Sequence, residues 1–299
     1  MLPKIVVVVG PTASGKTSFA VRLAKKIGGE IVSADSRLLY RGMDIGTAKP
    51  GLEERGGIPH HLIDIVRPSG MLTLSGYQRR AFRAIGGILR RGKTPILVGG
   101  TGLYVRAVVE NLRIPEVPPD PKYRAYLEKK GAAWILARLA KLDPEYAARI
   151  GPNPRYASRA LEVIRATGKP FGRQQGAGKR KFDALLIGLY PGKPELERRI
   201  GLRVRQMAES GLLDEARSLH RRYGEKKSGA LWTAIGYREL LGVLRGEKDL
   251  EEALKEIVTS TRQYAKRQMT WFRGVKGIEW FPRPDAALRK SIIWLKQGK

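Results

Sequence analysis

The sequence predicts an α/β fold in which a parallel sheet carries a phosphate-binding loop and is interrupted by an all-helical insertion. Three observations lead there. Val6-Val7-Val8-Val9 is an apolar, β-branched run suited to a buried parallel strand, and Gly10-Pro11-Thr12-Ala13-Ser14-Gly15-Lys16-Thr17 follows it in the pattern G-x-x-x-x-G-K-[ST]. The stretch from Thr94 to Tyr104 repeats the same order of strand, glycines and helix. Ile114 to Pro121 then holds four prolines in eight residues, a stiff linker that marks a boundary. The expected division is a core at residues 1–113 and 182–299 with a helical insertion at 114–181.

The phosphate loop works through its backbone. Glycines let the chain curl so that N–H groups point inward, and the helix beginning at Lys16 adds its positive end. Lys16 supplies a mobile cation to the terminal phosphates, and Thr17 a hydroxyl for Mg²⁺. Glu30 to Ser36 reads as a second strand ending in Asp35 and Ser36; ligands of such sheets lie beyond the carboxyl ends of strands, which puts Asp35 beside the phosphates. A turn or helix cap is the competing role for an Asp-Ser pair. Arg41 to Pro50 is rich in Gly and charge and reads as a functional loop, ordered or mobile. Ile58 to Ile65 reads as a short strand whose adjacent His60 and His61 point to opposite faces, a poor metal pair.

Ser75 to Arg91 has helical spacing with a basic outer side. Beyond Gly99-Gly100, Thr101 either hydrogen-bonds a ligand or caps the next helix. From Lys122 to Lys169 the pattern is short amphipathic helices, with Leu127, Trp134, Leu136, Leu139, Leu142, Tyr146 and Ile150 as core candidates and Arg155 and Arg159 one turn apart. Arg165 to Lys181 carries six basic residues and no acid, and reads as a flexible arm that orders on nucleic acid. Ala184 to Tyr190 restores a buried strand, and Leu196 to Ser210 is a helix bearing Arg199 and Arg203. The helix system from Glu247 ends in Thr261–Arg273, where Arg262, Lys266 and Arg273 share one side and Tyr264, Trp271 and Phe272 are expected to turn inward.

Composition narrows the class of function. The 299 residues hold 57 Lys and Arg against 28 Asp and Glu, a formal charge of +29, which suits a polyanionic partner such as RNA. No run is long and apolar enough to cross a bilayer, so no membrane partner is expected. Cysteine is absent, which removes disulfides, thiolate zinc sites and a cysteine nucleophile and fits a cytoplasmic setting. No later strand ends in a Walker B acidic pair, which weakens an ATPase reading.

Gly10–Thr17, Asp35-Ser36, Tyr40–Pro50, Gly99-Gly100-Thr101, Ser158–Glu162, Ala234–Tyr237 and Thr261–Arg273, in that order, resemble the tRNA dimethylallyltransferase family over nearly the whole chain. The resemblance implies a P-loop, kinase-like core whose helical insertion grips a tRNA anticodon stem-loop, with dimethylallyl diphosphate as donor, Mg²⁺ as cofactor and a monomer as working unit. Carried over, Asp35 is the general base, Thr101 contacts the target base, Arg203 steadies the diphosphate and Gly10–Thr17 hold it. Expected tRNA contacts are Asp35, Ser36, Arg37, Leu38, Thr101, Arg124, Arg155 and Arg159, joined by the basic face of Arg262, Lys266 and Arg273. Leu38 stands where many members carry Gln, and Arg155 where Gln is common. Rival readings are an isopentenyltransferase acting on free adenine nucleotides, a small-molecule kinase using ATP, and a non-enzymatic RNA-binding module.

Overall fold

The computed structural model describes residues 1–225 and 229–297. Its chain divides into two compact units, Met1–Val109 with Lys181–Lys299, and Glu110–Arg180.

The first unit is built on six parallel strands among the described residues: β1 (Lys4–Val9), β2 (Gly29–Ser33), β3 (His60–His61), β4 (Thr94–Gly99), β5 (Asp183–Leu189) and β6 (Ile278–Phe281), in the order β3-β2-β4-β1-β5-β6. β1 lies between β4 and β5, with Val6 opposite both Ile96 and Leu185. Alternate residues feed opposite faces, so a strand apolar throughout must be covered twice. Val7, Val9, Val32 and Leu97 join one core. Val6, Val8, Ile31, Ile96 and Val98 join another, with Phe19 and Leu23 of the helix Lys16–Ile27. The strand expected over Ile58 to Ile65 is only two residues long, because Leu62 and Asp64 take positive φ (64° and 58°) and turn the chain away. His61 Nε2 pairs with Glu30 Oε2 at 2.7 Å, a structural role.

The second unit is helical. Its helices Pro121–Leu142, Pro144–Ile150 and Pro154–Thr167 all start with proline in the first turn, where a missing N–H costs nothing. Asp120, Asp143 and Asn153 cap them, each side chain accepting the N–H of the tyrosine three residues on (2.9, 3.2 and 3.3 Å). Pro121 therefore starts a helix rather than extending a linker. Gly131, at φ 81°, interrupts the first helix. The core holds Leu127, Ile135, Leu139, Tyr146, Leu161 and Phe171; Leu142, expected inside, is 37% exposed.

The arm expected over Arg165 to Lys181 is packed instead. Phe171 is buried against Tyr146, and Gly176 and Gly178 hydrogen-bond back to Arg113 and to Glu110 and Asn111. One aromatic anchor outweighed the charge pattern. Glu162, almost fully buried, accepts Arg124 through two N–H groups (2.7 and 2.8 Å), Arg159 at 3.2 Å and the Asp120 amide at 2.9 Å. Burial pushes its pKa up, but these donors prevail and hold it below the usual carboxylate range. Its stabilising effect is therefore present above the ordinary glutamate pKa and lost as pH falls through the depressed one.

Glu162→Ala strands two guanidinium groups and is expected to cost about 3 kcal/mol. Amide exchange across residues 110–180 would register the loss, whereas Arg165→Ala, at an exposed side chain, should change it by about 0.5 kcal/mol or less.

Candidate active site

β1 ends at Val9 and the chain curls at once. Gly10 (φ 145°) leaves no room for a Cβ against the Leu189 carbonyl, and Gly15 (φ 88°) occupies the N-cap position of the helix Lys16–Ile27 without any side-chain cap. The first helical amides are thus left for an anion. Lys16 Nζ donates to the Pro11 carbonyl at 2.6 Å. Burial lowers its pKa to about 8; Asp35 nearby opposes that shift, and Arg203 adds to it. Arg203 projects from the helix Lys193–Glu209 into the same space, and burial works against its charge too. Two cations on the wall of one cavity, where Arg203 works against the charge on Lys16, suit a polyanion between them.

These groups line a cavity of about 580 Å³ with Thr12, Ala13, Thr17, Asp35, Ser36, Arg37 and Leu38. Asp35 Oδ1 accepts the Arg37 amide at 2.8 Å, so the turn role and the cavity position coexist. Thr101 starts the helix after it through its carbonyl, which accepts the N–H groups of Tyr104 (2.9 Å) and Val105 (3.2 Å). Its N–H donates to the Ala34 carbonyl (3.1 Å), and its hydroxyl accepts the Ser36 amide (3.0 Å) and contacts the Ser36 hydroxyl (3.2 Å). Arg37 anchors itself through its guanidinium to the carbonyls of Ala230 and Thr233.

The loop over Arg41–Pro50 is ordered. Glu215 accepts the amides of Asp44, Ile45 and Gly46 (2.9, 2.9 and 3.1 Å) and the Tyr237 hydroxyl (2.7 Å). Lys49 sits between Asp44 and Asp64, at 2.5 Å from each. Gly46 is obligatory, since a Cβ there would meet the Tyr237 ring at 2.6 Å. Held this way, Gly46, Thr47 and Ala48 form one wall of the cavity.

The helix Leu250–Arg273 forms another wall, starting at Leu250 because Asp249 caps it. Arg262, Lys266 and Arg273 are exposed along one side, as expected. Tyr264 and Phe272 turn inward; Trp271 does not, being 40% exposed where its indole covers Gly102. Tyr264 and Arg267 line the cavity, and the Tyr264 phenol has its pKa raised by burial and by Asp35. Gln268, singled out by no motif, is 5% exposed and bonds both the Thr12 amide (2.8 Å) and the Gly100 carbonyl (2.9 Å). A lone amide on the buried stripe of Ala265, Met269 and Phe272 was the signal available. Arg124, Arg155 and Arg159 belong to the helical unit; Arg155 is exposed, while the other two are engaged with Glu162.

A parallel sheet with a glycine-curled loop and buried cations beyond its carboxyl edge places the protein among phosphate-loop α/β proteins. Comparison with known proteins narrows the class: residues 38–275 match the family described as IPP transferase, and the chain belongs to that family. It is 46% identical to a tRNA dimethylallyltransferase of Geobacillus thermodenitrificans, over 95% of this chain and 92% of that one. A tRNA dimethylallyltransferase of Streptomyces coelicolor is 47% identical over 93% and 90%. Among solved structures, the tRNA isopentenylpyrophosphate transferase of Bacillus halodurans superposes with a TM-score of 0.73 at 42% identity, over 98% of this chain and 95% of that one. A eukaryotic dimethylallyltransferase acting on tRNA superposes with a TM-score of 0.81 at 35% identity, covering 93% and 73%.

Inorganic diphosphate is expected to bind best to protonated Lys16, so this contribution should be nearly complete at pH 7 and fade as pH rises through about 8. The ratio of wild-type to Lys16→Met affinity should fall about tenfold between pH 7 and 9, as titration calorimetry at both pH values would report.

Proposed function

We propose that this chain transfers a dimethylallyl group from dimethylallyl diphosphate to N6 of the adenosine 3′-adjacent to the anticodon in tRNA, releasing diphosphate. One observation carries the reading beyond family membership: a single cavity is lined by the phosphate loop, Lys16, Arg203 and Asp35 together. Those are the two halves of a substitution at an allylic carbon.

The exocyclic amine of adenine is a weak nucleophile because its lone pair is delocalised into the ring. As N6 bonds to C1 of the donor, the C1–O bond breaks, the electron pair leaves with diphosphate, and Asp35 takes the N6 proton. Proton removal of this kind is worth about 10²–10⁴-fold. Lys16, Arg203 and the loop amides stabilise the charge gathering on the leaving group. Thr101 orients Ser36 at the mouth of the Asp35 loop and is our choice for the contact to the target base.

Among the described residues no group of three or more His, Cys, Asp or Glu side chains could hold a metal. Mg²⁺ would be held on the protein side by the Thr17 hydroxyl, which lines the cavity with Lys16. Bound there, it would neutralise charge on the departing group.

The exposed face of Arg262, Lys266 and Arg273 on the first unit suits the phosphates of an anticodon stem-loop, and so, separately, does exposed Arg155 on the helical unit. Backbone contacts also offset the few kcal/mol of unstacking the target base. We propose a monomer as the working unit, and the cysteine-free sequence supports a cytoplasmic setting. Among the described residues no helix is long and apolar enough to cross a membrane.

Radiolabelled prenyl transfer to an anticodon stem-loop tests the proposal; phosphate transfer from ATP with RNA ignored would reject it. Asp35→Ala should lower turnover by about 10²–10⁴-fold while tRNA affinity in a gel shift stays within about threefold. Arg203→Ala should act on the donor side, raising the KM for dimethylallyl diphosphate and lowering kcat, each by about tenfold or more. An unchanged KM and kcat would remove Arg203 from the cradle.

A further inference from the structure

The β1 and β4 strands pair with Val9 opposite Gly99, so the loops that follow them leave the sheet side by side. One loop is the phosphate cradle. The other runs through Gly100 to Thr101, which holds Ser36 next to Asp35. Between them stands the Gln268 amide. Its Oε1 accepts the Thr12 N–H at 2.8 Å and its Nε2 donates to the Gly100 carbonyl at 2.9 Å.

The linkage demands one acceptor and one donor at the two ends of a planar group. Glutamine supplies both. A carboxylate there would set an oxygen against the Gly100 carbonyl, and a thioether would satisfy neither end. The amide also needs bare backbone opposite it, because a Cβ on Gly100 would collide with Nε2. It is 5% exposed on the cavity wall, so losing either bond leaves a largely buried polar group without its partner. On the same helix Tyr264, one turn back, and Arg267, the preceding residue, also line the cavity.

We infer that Gln268 is a positioning residue that sets the gap between the diphosphate cradle and the acceptor side of the cavity, so that adenine N6 rather than water reaches C1 of the donor. The inference rests on the prenyl-transfer reading above. A misplacement of about 1 Å costs a bimolecular step on the order of 10²-fold. Attack by water has no such orientation to lose. In that side reaction the water oxygen bonds to C1, the C1–O bond to diphosphate breaks, the electron pair leaves with diphosphate, and the water proton goes to solvent. The products are a five-carbon allylic alcohol and diphosphate.

Both fates are measured in one reaction, using full-length protein, labelled dimethylallyl diphosphate and an anticodon stem-loop. Gln268→Glu and Gln268→Met are expected to lower kcat for transfer about 10–100-fold. KM for the donor and the gel-shift affinity for RNA should remain within about threefold, and alcohol released per prenyl transferred should rise at least about tenfold. If either variant does not fold, Gly100→Ala disturbs the same linkage from its other end and should produce the same rise. A wild-type product ratio in soluble, folded variants overturns the inference, as does a loss in which kcat falls and both affinities weaken together. Absence of prenyl transfer by the wild-type protein itself would instead reject the function on which the inference stands.

Discussion

The cavity depends on one close backbone approach. Gly99, the last residue of β4, lies so near Ala34 at the exit of β2 that a Cβ could not be accommodated. The Ala34 amide donates to the Val98 carbonyl at 2.7 Å, and the Thr101 amide returns to the Ala34 carbonyl at 3.1 Å. This clasp sets Asp35 and Thr101 in one frame before any side chain is considered. β1 runs on the other side of β4, and its phosphate loop is tied into the frame by Gln268. Three strand ends thus converge where a doubly wound sheet reverses its order, the place at which such sheets take ligands.

The charge of the chain is organised rather than spread. Acids are scarce, and the buried ones serve the scaffold. Arg91 and then His61 hold the Glu30 carboxyl at about 2, against the burial that pushes it up. Glu162 gathers Arg124 and Arg159, and Glu239 receives the Gly236 amide and Arg238. Removing one partner from such a site leaves an uncompensated buried charge, which explains why their donors are doubled or tripled. Arg262, Lys266 and Arg273 face solvent while Lys16 and Arg203 line the cavity, an arrangement suited to a polyanion.

Much of the candidate site was legible along the chain. The eight residues Gly10–Thr17 form a covalent unit whose chemistry is local, and strand topology alone carries Asp35 to the same edge. The linker prolines were legible only in part. Pro121, Pro144 and Pro154 each follow Asp or Asn and precede Tyr by two, a helix-start signature whose meaning lies in the cap bonds. Arg165–Lys181 was misread because six cations suggest solvation while one phenylalanine, Phe171, decides burial. Trp271 was misread because helical spacing does not tell which stripe a neighbouring strand will cover.

The sequence by itself determined the parallel sheet, the phosphate loop, the helical insertion and the family, since each is written in runs of adjacent residues or in spacings of a few positions. Only the tertiary structure decided which polar groups meet. Gln268 reaches Thr12 across 256 residues, and Glu215 closes on the loop at Asp44 across 171. A hydrogen bond needs its two atoms within about 3 Å in a given direction. No local pattern encodes such a distance, because it is the sum of every strand register and helix packing in between.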